Sequence, residues 1–192
     1  FDHTTIFSFQ IAKQITTIEG GCVATLDERA LKRFSKIKDY GRTSIEHYVH
    51  DAVGVNFRTT DLQSAMGIAQ LKKVDKYVSR RNDIALQYKN KIKNLGFQGV
   101  PESVTTHSYM LFFALAKGKA SRDKYIKHLV DAGIDVRKSW TPIHMQPCNP
   151  ELRKSKCQNA EGIFDRAFTL PIYNSLGRDE VTTVIDALSA LK

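Results

Sequence analysis

Cysteine is scarce in this chain. The three present, Cys22, Cys148 and Cys157, form an odd set without a C-x-x-C pair, which argues against both a disulfide scaffold and a thiolate zinc centre. A cytoplasmic setting is the expectation that follows. Long apolar runs are missing too: no stretch approaches the roughly 20 residues needed to cross a bilayer. The opening residues 1–9 hold no basic segment followed by an apolar run, so neither a membrane span nor a secretion signal is read, and a soluble protein is expected. Low-complexity tracts and internal repeats are absent. Acidic residues are outnumbered, 20 against 29 lysines and arginines, which leaves a formal charge of +9. That balance suits an anionic partner, either a phosphorylated metabolite or nucleic acid. The basic stretches 117–124 and 153–156 lack the interleaved aromatics on which bases stack, so nucleic acid is the weaker reading.

What the chain does have is apolar material: 42% of its 192 residues are hydrophobic and 26% charged. This is enough for one sizeable core, or for part of a large domain followed by a small one. Residues 6–9 read as a short strand running into a loop around Lys13, and 21–25 as a second, buried strand. Asp27 can cap a helix over 28–40, in which Ala30, Leu31, Phe34 and Ile37 recur at helical spacing and Gly41 supplies a terminator. Periodicity disappears over 42–58, and long loops are often functional. Thr60 and Gln63 then fit a capping box. From Leu62 the helical spacing continues to Leu95, drifting around 79–83, where a kink or break is expected.

Gly99 and Pro101 make 96–106 the expected boundary region, dividing the chain into residues 1–95 and 96–192. Beyond it, the patterns predict a strand over 109–116, a helix capped by Ser121 and ending at Gly133, and a strand over 134–140. A helix around 160–167, a short strand over 169–173 and a closing helix with Val181, Val184, Ile185 and Leu188 inward complete a compact α/β module.

Three segments could carry chemistry. The densest is F-S-F-Q-I-A-K-Q-I-T-T-I-E-G-G, residues 7–21, with a hydroxyl at Ser8, an amine at Lys13 and the flexible pair Gly20-Gly21 on one strand-flanked loop. A lysine that condenses with an aldehyde must be held where its amine can be neutral, and a nearby hydroxyl can bond a phosphate. Taken alone, Lys13 is one lysine among many. The second segment is G-V-N-F-R, Gly54 to Arg58, and the third is G-I-D-V-R-K-S-W-T-P-I-H-M-Q-P, Gly133 to Pro147. His47 and His50, with Asp51, are the one histidine pair close enough to suggest a metal. No third ligand stands at a familiar spacing, so no metal is expected.

Residues 7–21 resemble the Schiff-base loop of the DegT/DnrJ/EryC1/StrS family of sugar aminotransferases, of approximate pattern S-F-x-x-x-K-x-x-T-x-G-E-G-G. Ser8, Phe9, Lys13, Thr16, Glu19, Gly20 and Gly21 match, and Ile18 stands where the family has glycine. Gly54 to Arg58 is similar to the family's G-Y-N-Y-R, and Pro142 to Pro147 to its P-x-H-x-Q-P. L-P-I-Y, Leu170 to Tyr173, resembles its L-P-x-Y.

The resemblance implies an α/β fold, that of the fold type I, aspartate aminotransferase-like enzymes. This chain would supply the later part of the large domain and the small C-terminal domain. It implies pyridoxal 5'-phosphate as cofactor, with Lys13 as the catalytic lysine and Ser8, Asn56 and Arg58 as cofactor contacts. Asn56 would reach the phosphate of the neighbouring subunit, which implies a homodimer. His144 would stand at the active-site mouth as a substrate contact; as a residue it serves equally as a loop anchor. The implied reaction moves an amino group from a donor, most simply glutamate, to a keto-sugar nucleotide. Another ketone such as a cyclitol, or a non-catalytic binding module, stays open. The family's chains are longer, and their earlier part carries the cofactor-phosphate helix, the ring-stacking aromatic and the acid on the pyridine nitrogen. None of these is located here, so the chain is expected to begin inside the large domain.

Overall fold

The computed structural model describes residues 3–44, 48–101, 103–104 and 106–191. Two compact units result, Phe1–Asp75 and Lys76–Lys192.

In the first unit, β1 (Thr5–Ser8) and β2 (Gly21–Ala24) pair antiparallel, Ser8 opposite Gly21 and Thr5 opposite Ala24. Helix α1 (Glu28–Lys38) starts where Asp27 accepts from the amides of Arg29 and Ala30, as the sequence predicts. It stops two residues short of the predicted end, where Tyr40 and Gly41 both turn left-handed and the Gly41 amide returns to the Lys36 carbonyl. Helix α2 (Asp61–Leu71) opens on the full capping box of Thr60 and Gln63. The expectation that β2 is buried fails: Gly21, Cys22 and Val23 are exposed. No hydrophobic side chain in this unit is fully buried among the described residues.

The continuous helix from 62 to 95 is also corrected. It breaks at Lys72 and Lys73, between α2 and α3 (Val74–Lys91), where residues 71–73 are all exposed. Around 79–83 the helix continues, and the drift in apolar pattern has another cause. Arg81 takes a place on the buried face and is 6% exposed. Its guanidinium donates to the carbonyls of Tyr109, Met110 and Ile172 and to Asn174 Oδ1. Asn82 caps the adjacent gap by donating to the His107 carbonyl at 2.7 Å. Sequence grouped this helix with the first domain; its buried residues, Arg81, Ile84, Ala85 and Tyr88, lie in the second unit.

That second unit is built on a four-stranded antiparallel sheet, order β3 (Gly96–Phe97), β4 (Phe112–Leu115), β6 (Ala167–Leu170), β5 (Arg137–Lys138). Helices α4 (Lys119–Asp131), α5 (Gln158–Arg166) and α6 (Arg178–Ala190) accompany it. Ile84, Tyr88, Phe112, Leu129, Phe168, Val181 and Leu188 form the centre of one core. The inward face predicted for α6 is the buried one. The strands are shorter than predicted. The one expected over 109–116 begins only at Phe112, because Tyr109 takes a left-handed φ of 42°. The one expected over 169–173 runs from Ala167 to Leu170 and ends at Pro171, which has no amide to continue a ladder. Of 134–140, Arg137–Lys138 alone pairs, on the sheet edge. Ser121 is not the cap of α4: the helix begins at Lys119 after an extended Gly118, three residues earlier than a Ser121 cap would place it.

Candidate active site

The loop that carries Lys13 is organised by its own hydrogen bonds. The Phe9 amide donates to the Gly20 carbonyl and the Thr17 amide to the Phe9 carbonyl, each at 2.9 Å, closing the loop at its base. Gln10 shapes the tip: its carbonyl accepts from the Lys13 amide at 2.9 Å and its side chain from the Ala12 amide at 2.8 Å. Ser8 Oγ accepts weakly from the Gln10 amide at 3.4 Å. Its own proton remains available to an acceptor. Lys13 is half-buried.

Threonine hydroxyls finish the return. Thr16 donates to the Phe9 carbonyl and accepts from the Ile18 amide; the buried Thr17 donates to the Glu19 carbonyl at 2.8 Å. Ile18 sits at φ 71°, a conformation natural to glycine and strained for a β-branched residue. A Cβ on Gly20 or Gly21 would lie 2.8 Å from Thr17 Oγ1 or the Phe7 carbonyl respectively, so both glycines are sterically required.

Asn56 and Arg58 lie on the segment that follows the long loop. Residues 55–57 are zipped to the end of α1: the Val55 amide donates to Ile37, Tyr40 to Val55 and Phe57 to Lys38. Gly54 crosses Gly41 so closely that a Cβ on Gly54 would lie 2.1 Å from the Gly41 nitrogen, which accounts for the glycine at the head of G-V-N-F-R. Arg58 Nε donates to Asn56 Oδ1 at 3.2 Å. Asn56 and Arg58 therefore present one paired donor surface. It opens on a groove of about 950 Å³ that also touches Phe9, Gly20, Gly21, Phe34 and Thr59.

Ser8 and Lys13 are not among that groove's lining residues. The two halves of the predicted site are joined through Gln63, which sequence analysis treated only as a capping residue. Its Nε2 donates to the Glu19 carbonyl at 2.9 Å while its Oε1 accepts from the Thr60 amide. The helix start and the lysine loop are thus one hydrogen-bonded assembly.

His144 belongs to the second unit, in a 3-10 turn, Ile143–Met145. It is buried, and its Nε2 lies 3.0 Å from Glu161 Oε1. The same oxygen accepts from the Cys157 amide. That amide, then the imidazole, hold the Glu161 carboxyl below its ordinary pKa. The imidazole thus ties the 3-10 turn to α5. His47 lies outside the described residues, and His50 Nδ1 faces the Tyr40 carbonyl at 2.8 Å. Among the described residues no group of three His, Cys, Asp or Glu could hold a metal, and no helix is long and apolar enough to cross a membrane. All three cysteines are free and exposed.

Residues 1–189 match the DegT/DnrJ/EryC1/StrS aminotransferase family. This chain belongs to that family. GDP-perosamine synthase of Escherichia coli O157:H7 is 32% identical over 189 residues, covering 98% of this chain and 52% of the relative. The chain therefore spans about half the length of the curated relatives it matches. Among solved structures, DesV of S. venezuelae has a TM-score of 0.88 at 25% identity, covering 99% of this chain and 52% of that one. PseC of Helicobacter pylori, an aminotransferase of pseudoaminic acid biosynthesis, has a TM-score of 0.87 at 24% identity over 97% of this chain and 52% of its own, a likeness of fold. The mixed α/β structure is thus that of the family's pyridoxal-phosphate-dependent sugar aminotransferases.

Pyridoxal phosphate fits the residues present by the chemistry of the donor set. A half-buried primary amine can meet an aldehyde, while a serine hydroxyl, a carboxamide and a guanidinium are the groups that bind a phosphate.

Proposed function

We propose that the intact protein is an aminotransferase that moves an amino group from glutamate to a keto-sugar carried on a nucleotide, acting in the cytoplasm as a homodimer. The observation that carries this reading is the lysine loop: Lys13 stands in a hydrogen-bonded turn joined through Gln63 to the helix that follows the donor pair Asn56 and Arg58. The sugar substrate is supported by GDP-perosamine synthase, whose name specifies a nucleotide-linked amino sugar.

Bound pyridoxal phosphate supplies the electron sink that lets nitrogen leave one carbon and join another. The chain's own residues do the rest. Lys13 Nζ is the amine that would hold the cofactor's aldehyde and, when free, would serve as the general base and acid that moves the proton. Ser8 donates its hydroxyl proton to the phosphate. Asn56 and Arg58 donate to the phosphate of the neighbouring subunit's cofactor, so each site needs two chains. His144, which lies 3.0 Å from Glu161 Oε1, is the proposed substrate contact. The domain division proposed is a large-domain part through the connecting helix, residues 1–95, and a small domain over 96–192.

The test is the absorption spectrum of the intact protein with pyridoxal phosphate. Wild type shows a visible band that Lys13→Ala abolishes, and retention of the band in the variant removes Lys13 from its role. A panel of keto-sugar nucleotides with glutamate then reads out the acceptor, and a ketone without a nucleotide as the best substrate would replace the sugar assignment.

A further inference from the structure

The donor pair Asn56 and Arg58 is held from behind by a residue that no motif marks. Asp39 is the last residue of the α1 terminus and bridges Asn56 across a short antiparallel contact. Its Oδ1 accepts from Arg42 Nη2 at 2.7 Å and stands 3.5 Å from Arg58 Nε. Arg58 Nε in turn reaches Asn56 Oδ1. Both guanidiniums stand over the ring of Tyr40, the Arg42 carbon 5.3 Å and the Arg58 carbon 5.1 Å from its centroid. Tyr40 is itself pinned in a left-handed conformation, φ 58°, a strained backbone that persists only where its surroundings over-determine it.

We propose that Asp39 is a positioning residue for phosphate recognition, acting through Arg58 and, with Tyr40, fixing which atoms Asn56 and Arg58 present. It rests on the assignment of Asn56 and Arg58 as phosphate contacts. Asparagine has both an acceptor and a donor end, and an acceptor turned toward a phosphate would repel it. Because Arg58 Nε donates to Oδ1, that acceptor end is occupied and Nδ2 is the end left to donate. Arg58 is held at Nε, so its terminal nitrogens are the ones offered outward, and its side chain is half-exposed at 50%. Arg42, by contrast, is 9% exposed and serves to anchor the carboxylate. The outcome is a surface of donors only, assembled from a residue pair that could otherwise present mixed polarity.

Charge alone predicts the opposite effect for this residue. Removing a carboxylate from the vicinity of a phosphate should tighten binding; loss of positioning should weaken it. The experiment is equilibrium titration of the apo form of the intact protein with pyridoxal phosphate, and with pyridoxal, which lacks the phosphate. Arg58→Ala and Asn56→Ala establish the phosphate contacts. Asp39→Asn, which keeps an acceptor for the buried Arg42, is expected to weaken pyridoxal phosphate by about 5–10-fold and leave pyridoxal unchanged, Asp39→Glu restoring part of the loss. In the Arg58→Ala background Asp39→Asn should add no further loss, since its effect passes through Arg58.

Unchanged or tighter binding in Asp39→Asn, beside weakened binding in Arg58→Ala, would overturn the positioning role while leaving the phosphate contacts in place. An equal loss for pyridoxal, or a loss that persists without Arg58, would mark Asp39 as a merely structural residue and overturn it as well. If Arg58→Ala and Asn56→Ala themselves leave pyridoxal phosphate binding unaltered, the phosphate-contact reading falls, and this role falls with it.

Discussion

Arg81→Met is the perturbation that most directly tests how the second unit is held together. Among the described residues Arg81 is a buried cation without a carboxylate: its partners are three main-chain carbonyls and the Asn174 amide oxygen. Burial lowers its pKa, the mark of an uncompensated desolvation. Methionine approximates the aliphatic stem and removes every donor. The Tyr109 and Ile172 carbonyls, at 2.8 and 2.9 Å, are the two buried acceptors. Orphaning each costs about 1–3 kcal/mol, and relief from burying the charge offsets part of the sum, leaving ~3 kcal/mol. With a urea slope of about 2 kcal/mol per molar, the unfolding midpoint of this unit falls by about 1.5 M. Urea titration followed by helical circular dichroism measures it in the intact protein. Arg81→Lys should fall between, because one ammonium cannot span the four acceptors. A midpoint shift below about 0.3 M at unchanged slope would refute the view that this guanidinium clamps α3 to the segments that lead into β4 and out of β6.

Ile18→Gly should steady the lysine loop: relief of left-handed strain, about 1–2 kcal/mol, exceeds the entropy cost of glycine, about 0.5–1 kcal/mol. Ile18 is 54% exposed, so little burial is lost. The expected result is a few-fold slower hydrogen exchange at the Phe9 and Thr17 amides, and faster exchange would contradict it. For Glu161 the folded pKa lies below the ordinary 4.5. Its stabilisation is therefore complete above that value and fades as pH falls through the lower folded one. The His144 ring signals and the Cys157 amide should accordingly change together below about pH 4.5 in an NMR titration, and Glu161→Gln should remove that transition. A Cys157 amide that stays unmoved below that pH would detach the Glu161 carboxyl from the latch.

Local patterns carried the caps and terminators of the first unit, because they depend on a few adjacent residues, and failed for Ser121 in the second, where the helix starts at Lys119. Asp27, Thr60 with Gln63, and Gly41 act as their spacing indicates. Apolar periodicity failed where a polar residue took a core position: Arg81 resembles a kink in the sequence and is a clamp in the structure. Strand ends were misplaced where a backbone conformation at Tyr109, invisible to pattern, or a partner strand's reach decided pairing.

Of the proposed site, Ser8, Lys13, Asn56 and Arg58 are marked by the family pattern alone, and the departure at Ile18 is the position where the backbone turns left-handed. Gln63 was visible as a cap but not as the tie to Glu19, 44 residues away. Asp39 and Tyr40 gave no signal of their own. Their contribution arises from the crossing of Gly41 and Gly54, which depends on two glycines 13 positions apart meeting in space.

The contrast in burial between the two units has a practical consequence. Every fully buried hydrophobic side chain among the described residues belongs to the second unit, which can therefore melt as a cooperative body with its own midpoint. The strand pair beside Lys13 instead exposes Ile6, Phe7 and Val23, and a two-stranded ribbon alone is marginal in water. Thermal stability and the order of the lysine loop are then separately adjustable properties. Substitutions that raise the melting temperature by repacking around Phe112 or Leu188 should leave the hydrogen bonds of the Lys13 loop unaltered. Engineering aimed at catalysis belongs in the threonines, glycines and Gln63 that draw the loop closed.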